Sequence, residues 1–518
     1  MGITDRLNKY QRVFILLAGL AGMLLVLYTT APYGAGVSGD SVYYLSGAEN
    51  IACGHGYIDH FGRPLVKFPP LYAYLLGGIS YLTGSTPLQA GTYLNAVIFG
   101  LIVIAAGYFF RRSLAHTLWV YLGTLAALFS RSLFTLGINI FSDPLFILFV
   151  VLFLMLLQRY FAQASWKTLM MLVLVTALAL LQRYIALALL LTGAFAILLH
   201  HRKEPRRVLW LGFIYCGLSS LPLAAWIVLR NMLTYGQFIG ERSVTRVLFW
   251  QNTVDALQRM AYWLLPISLL DLIPLWLVAA ILLLVFLSVI RREQWSALRE
   301  RYGQPQNLVV LFFTVLYFIL VMATTFSADH YGPYDDRYIS VLYIPLFWLL
   351  FALADELLVK RATDQWQLII VLVFALWLIF PINTVRKIVI QSRQEGVIRY
   401  NIFNTRWFHE STFIDQMQAY PFEEGIPVYS NYADTVFMYL DVTAQPALQD
   451  THYYAARLET LAQHITDWPQ EGQVYLVWFN HPTFAKRYYN PEQLHEYYAI
   501  STLYEDQDGG LYLIEKSP

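Results

Sequence analysis

The sequence predicts an all-α polytopic membrane domain of about eleven transmembrane helices followed by a small C-terminal α/β domain. Three observations carry this expectation. Hydrophobic residues make up 58% of the 518 positions and charged residues only 13%, with a mean hydropathy of +0.49, outside the range of soluble globular chains. Long apolar runs recur between clusters of charge. Beyond about Pro381 the composition turns polar and rich in Tyr.

A hydrocarbon core of about 30 Å needs roughly 20 apolar residues in a helix. Runs approaching that length lie near Val13 to Ala31, Leu94 to Phe110, Thr117 to Phe129, Pro144 to Leu157, Leu169 to Leu181 and Ile185 to Leu199. Five more lie near Val208 to Val228, Ile267 to Ile290, Leu308 to Thr325, Ser340 to Leu353 and Leu368 to Phe380. The first run is longer than the roughly 7 to 15 residues of a signal peptide, so it is expected to stay as a span. Leu169 to Leu199 would make one helix of about 46 Å, too long for a single crossing, and Gln182-Arg183-Tyr184 interrupts it. Two crossings with a turn at Arg183 are expected.

Charge placement orients these spans. Alternate loops carry Arg111 and Arg112; Arg159 and Lys167; Arg202, Lys203, Arg206 and Arg207; Arg291, Arg292, Arg299 and Arg301; and Lys360 and Arg361. The positive-inside rule makes these loops and the N-terminus cytoplasmic and the C-terminal tail extracytoplasmic, with only Arg386 and Lys387 against the trend. A bacterial cytoplasmic (inner) membrane is the expected location. The domains are residues 1–380, with a long first extracytoplasmic loop at 32–93, and residues 381–518. In the tail, Ile426 to Tyr429, Val474 to Trp478 and Leu511 to Ile514 read as strands, and Tyr453 to His464 and Pro491 to Tyr498 as helices. A net charge of +1 without a basic face gives no nucleic-acid partner, and Cys53 and Cys216 are too few for a disulfide framework or a zinc site.

Ionisable residues at membrane depth are costly and collect where a cavity or partner receives them. Four such places fall on the expected extracytoplasmic side. The first loop carries Asp40 at the start of an amphipathic helix to Ile51, then Glu49, Tyr57 and Lys67. Ser142-Asp143-Pro144 opens the fourth span, Arg183 sits at the turn between spans five and six, and Asp336-Arg337-Tyr338 precedes the tenth. Helix capping accounts for Asp40 and Asp143 as readily as chemistry does, and snorkelling or a local ion pair for Arg183 and Arg337. A carboxylate serves as general base toward a hydroxyl, and a guanidinium fork suits a phosphate. Composition and topology leave a transporter or lipid flippase open, although no repeat of the kind such proteins carry is visible.

Gly39-Asp40-Ser41 with Tyr44, then Gly54-His55-Gly56-Tyr57, then Phe68-Pro69-Pro70-Leu71-Tyr72 resembles the first loop of the GT-C glycosyltransferases. The likeness is greatest to the protein O-mannosyltransferase and lipid A aminoarabinose transferase branch and its bacterial relatives that modify lipopolysaccharide core. Ser142-Asp143-Pro144-Leu145-Phe146, Gln182-Arg183-Tyr184 and Asp336-Arg337-Tyr338 with Pro345 are similar to further elements of that branch. The resemblance implies a polyprenyl phosphate sugar as donor, a lipid, glycan or protein hydroxyl as acceptor, inversion in a single displacement, and Asp40 as catalytic carboxylate. Asp143 is then a supporting or acceptor-orienting acid. By residue type, Arg183 and Arg337, with Lys67 or Arg230, are expected toward the donor phosphate, and Tyr43, Tyr44, Glu49, Tyr57 and Tyr72 toward substrate, although interface anchoring accounts for many of the tyrosines equally well. Relatives that carry two adjacent acids in this loop contrast with Asp40-Ser41 here, so a divalent metal is not inferred and no cofactor is named. A ligase or polymerase acting on diphosphate-linked lipids and a non-catalytic scaffold are the remaining rivals.

Overall fold

A computed structural model describes residues 3–240, 249–266, 292–324, 336–356, 364–448, 468–469, 472–481 and 488–516. Among them, seven helices are long and apolar enough to cross a membrane, or eight if the bent pair Thr117–Leu128 and Arg131–Gly137 forms one span. The expected count of eleven is not reached within these residues. The break at Arg183 is real, separating Trp166–Gln182 from a 3-10 turn at Tyr184–Ala186 and Leu187–His200, but both resulting helices are short for a crossing. The expected span at Ile267 to Ile290 and the expected helix at Tyr453 to His464 lie outside the described residues.

The bundle core is aromatic and close-packed. Trp119, Trp348, Phe99, Phe109, Phe110 and Phe134 are all fully buried there. Ion pairs stand at both ends of it. At one end Arg301 holds Asp355 at 3.0 Å and Glu356 at 3.2 Å, and the Trp119 indole donates to the same Asp355. At the other end the chain leaves the first span and forms the helices Gly39–Ala52 and Leu71–Thr83.

The sequence reading makes Asp40 the cap of the first of these helices. Instead Ser38 caps it, its side chain and that of Ser41 closing a reciprocal box, which leaves the Asp40 carboxylate in the first turn for other partners. The segment just before it runs beside residues 138–140. Gly36 and Asn139 form a parallel bridge so close that a Cβ at Gly36 would lie 2.2 Å from the Asn139 side-chain oxygen, so only glycine fits.

The helix Asp364–Glu395 continues through Pro381, where composition changes, and leads into a five-stranded mixed sheet of order β2-β1-β3-β5-β4. Its strands are β1 (Val428–Ser430), β2 (Ala444–Pro446), β3 (Gln473–Phe479), β4 (Tyr498–Glu505) and β5 (Gly509–Lys516). β1 pairs in parallel with β2 and β3, whereas β3-β5-β4 is antiparallel. The three expected strands are present. The expected helix at Pro491 to Tyr498 is only Pro491–Leu494, because Tyr498 already begins β4.

Candidate active site

Four charged side chains that lie far apart in sequence converge at the sheet-bearing end of the bundle. Asp143 opens its helix and is 3% exposed, where an unpaired carboxylate would be costly. Its Oδ1 lies 2.5 Å from Arg183 Nη1, and its Oδ2 lies 3.6 Å from Arg337 Nε. Arg337 in turn places Nη2 2.7 Å from Asp40 Oδ2. The result is an alternating row, Arg183, Asp143, Arg337, Asp40. Asp40 is its most exposed member, with 36% of its side chain accessible.

Local structure explains each placement. Breaking the helix at Arg183 turns its guanidinium into the site, and Gln182 beside it donates to the Ser142 carbonyl at 2.7 Å. Tyr44 bonds Ser142 through hydroxyl groups 2.9 Å apart, tying the first-loop helix to the helix that carries Asp143. Arg337 lies over the rings of Phe141 and Tyr338, at 4.6 and 5.0 Å from their centroids. Burial raises the Asp40 carboxyl, but the Arg337 charge and hydrogen bond, with Arg183 and Lys67 further off, outweigh it and hold the group below the ordinary carboxylate value of 3.8. Asp40 is therefore an ionised acceptor with one oxygen occupied by a guanidinium.

Asp40, Arg183 and Arg337 border a cavity of about 330 Å³, with Asp143 behind them. Asp40, Tyr44, Lys67, Arg183, Arg337 and Tyr338 form its polar wall, and Leu187, Leu320 and Val321 the apolar one. Leu187, one of the apolar lining residues, is 43% exposed on the bundle surface. A larger cavity of about 800 Å³, between Arg112, Arg159, Arg301 and Glu356, lies at the other end of the helix that Asp143 begins. No expected site residue lines it.

The remaining expected site residues are placed elsewhere. Arg230 donates to the carbonyls of Leu65, at 2.8 Å, and Tyr57, and it is ringed by Tyr57, Trp226 and Tyr235. It clamps the first loop from a π-helical stretch, Trp226–Met232, and does not line the cavity. Tyr57 and Tyr72 are buried, the latter donating to Asn95 at 3.0 Å. Tyr43 is half-buried against Phe68 and His60, and Glu49 is exposed on the helix face toward Asp441. Among the described residues no three His, Cys, Asp or Glu side chains converge as a metal site.

The geometry joins a carboxylate, a guanidinium pair and apolar lining residues in a membrane bundle, and comparison with known proteins bears on what such a bundle is. Residues 67–226 match the family model described as dolichyl-phosphate-mannose-protein mannosyltransferase. No curated protein matches the chain by sequence. Among solved structures, ArnT from Cupriavidus metallidurans in the apo state superposes with a TM-score of 0.58 at 13% identity, covering 96% of this chain and 97% of that one. The same enzyme bound to undecaprenyl phosphate gives 0.57 at 13% identity, over the same shares of both chains. The chain has the fold of the GT-C glycosyltransferases. In this fold the first-loop helix, the acid opening a span and the arginine-bearing turn meet through the Arg183, Asp143, Arg337 and Asp40 ion pairs. The arabinofuranosyltransferase AftD from Mycobacteria, with a TM-score of 0.49 at 12% identity, is too distant a likeness to refine that picture, and this chain covers only 40% of it.

Proposed function

We propose that this GT-C protein transfers a hexosyl or pentosyl group from a polyprenyl phosphate to an acceptor hydroxyl on the extracytoplasmic face of the cytoplasmic membrane, with inversion at the anomeric carbon. The observation that carries this reading is Asp40 held by Arg337 at the rim of a cavity that is ionic on one wall and apolar on the other. A lipid phosphate has the same division. Its anionic group matches Arg183, Arg337 and Lys67, and its chain matches the apolar wall of Leu187, Leu320 and Val321.

Arg337 neutralises Asp40. A donor phosphate competes for that guanidinium, and when it succeeds, Asp40 loses its strongest counter-charge and gains basicity next to the anomeric carbon. The acceptor oxygen then attacks that carbon and gives its proton to Asp40 as the bond to the phosphate oxygen breaks through an oxocarbenium-like state. The arginines stabilise the charge on the departing polyprenyl phosphate. Asp143 keeps both arginines aimed at that spot. Tyr44 and Lys67 face the sugar or its phosphate, whereas Tyr43, Arg230, Tyr57 and Tyr72 maintain the loop that presents Asp40. The helix Asp364–Glu395 carries the chain past the change of composition near residue 381, and the C-terminal domain that follows it is on the same extracytoplasmic side.

The decisive experiment incubates purified protein in lipid nanodiscs with a panel of polyprenyl phosphate sugars and acceptor lipids, and measures release of polyprenyl phosphate. Release dependent on both donor and Asp40 is expected. Donor left intact across the panel, with the lipid itself moved between leaflets, would replace this reading with a flippase.

A further inference from the structure

The segment that leads into the C-terminal domain contributes no wall to the cavity, yet it touches the backbone supports of three of the four charged residues. Its centre is Tyr400, which has a φ of 65°, a left-handed conformation that a bulky residue adopts only under constraint. Three sets of contacts surround it.

The first reaches Arg337 through its neighbour. Arg399 Nη2 donates to Asp336 Oδ1 at 2.9 Å and the Tyr400 hydroxyl donates to the same oxygen, while the Asp336 carbonyl accepts from Ser340 at 2.6 Å. The short helix bearing Arg337 is thereby fixed from both sides. The second reaches Asp40. The Asn401 side chain accepts from the Val37 amide at 3.0 Å, the Ile402 amide donates to the Val37 carbonyl at 2.8 Å, and Asn404 donates to the carbonyls of Tyr33 and Ala35. The third reaches the turn before Asp143. The Tyr400 ring meets Phe141 edge-on at 5.5 Å, and Phe141 is also the ring over which Arg337 lies.

We infer that residues 397–404 are a brace holding Asp40, Asp143 and Arg337 in register, and that Arg399 and Tyr400 are positioning residues for the transfer. The three catalytic segments come from separate parts of the chain; the bridge between Gly36 and Asn139 and the Arg337 ion pairs join them directly, and residues 397–404 contact all three from outside the cavity, which adds a common support to their spacing. Misplacement of about 1 Å at a reacting centre costs on the order of 100-fold in rate, which makes such a support kinetically visible. It also links the C-terminal domain to the chemistry without a side chain in the cavity.

The kinetic part of this inference rests on the transferase reading; the structural part does not. Full-length R399A, Y400F, the double variant and R399K are compared with wild type by cryo-EM, thermal unfolding, polyprenyl phosphate binding and turnover. In the double variant the 2.7 Å contact between Arg337 and Asp40 is expected to open, and kcat to fall by at least about 10-fold. R399K, which keeps the charge beside Asp336, is expected to restore the contact and most of the rate. Y400F keeps the ring against Phe141 and decides the matter if the double variant does not fold: its kcat is expected to fall while Tm and donor KM stay near wild type. Folded variants that retain both the Arg337 to Asp40 contact and wild-type kcat overturn the brace. If wild type binds no lipid phosphate and turns over no donor, the transferase reading fails, and the Arg337 to Asp40 separation still judges the brace.

Discussion

Arg337 Nη2 lies 2.7 Å from Asp40 Oδ2, so the cation assigned to the departing phosphate is the same one that holds the base before substrate arrives. The two residues are 297 positions apart in sequence. This pairing gives the site an order of events, donor first and proton transfer second, and makes the following outcomes expected.

Asp40→Asn preserves size and hydrogen-bonding ability but cannot take a proton. Because Ser38 and not Asp40 caps the helix, the fold should survive, with Tm lowered only by loss of the ion pair to Arg337. Turnover should drop by about 100-fold or more, the scale of losing a positioned general base. Turnover within a few-fold of wild type on a folded preparation would remove Asp40 from the chemistry.

Arg183→Ala and Arg337→Ala should each cost on the order of 100-fold in kcat through loss of charge stabilisation at the leaving group. Lysine at either position should recover only part, since it lacks the planar fork that can meet Asp143 and a phosphate together. Arg230→Ala should behave differently. It releases the carbonyls of Leu65 and Tyr57, so it should lower Tm and loosen the loop, leaving lipid phosphate affinity of the folded fraction nearly unchanged. Equal loss of phosphate affinity in all three variants would put Arg230 back among the phosphate ligands.

The pH dependence of the free enzyme follows from the depressed Asp40 carboxyl. A lowered native value means that the carboxylate form, and the stability it contributes, is fully present above the unfolded value of 3.8 and is lost as pH falls through the lower native one. The acid limb of kcat/KM should therefore lie below pH 3.8. The limb of kcat should lie higher, because bound donor draws Arg337 away. Coincident limbs would argue that the ion pair persists through the reaction.

His60 and Asp434 join the first loop to the C-terminal domain at 3.8 Å, a separation that allows an ion pair. Burial opposes charge on both, pushing the imidazole down to about 4 and the carboxyl up to about 6, and we favour the uncharged imidazole because its ring stacks on Phe437 at 4.6 Å. A raised carboxyl binds its proton more tightly in the native state, so ionisation costs stability increasingly from the unfolded value of 3.8 up to about pH 6. Asp434→Asn should raise Tm at pH 7.5 and lose that advantage as pH falls toward 4. A lower Tm at pH 7.5 would show that an ion pair forms after all.

Topology is open to labelling with an impermeant thiol reagent in cells lacking an outer barrier, after replacing the free cysteines Cys53 and Cys216 by serine. Gly303→Cys meets no neighbour and Ser501→Cys is at an exposed strand position, so both should fold. Labelling at position 501 and not at 303 is expected; the reverse pattern would invert the assignment of faces.

Hydropathy and charge in the sequence determine the membrane bundle, because twenty apolar residues in a row have no other stable solvent. The helix break at Arg183 was legible for the same reason of length, and Asp40, Asp143 and Arg337 stood out as ionisable groups beside apolar runs. Strand β4 was not, since Tyr498 to Glu505 alternates too weakly to separate it from a helix. Nor could composition separate Arg230, which closes a loop, from Arg183, which enters the cavity; both read as an arginine near a span end. Only the tertiary structure decided that difference, along with the pairing of Arg337 to Asp40 and the brace at Tyr400. Those depend on which helix ends meet in space, and packing of distant segments sets that through contacts that leave no periodic trace in the chain.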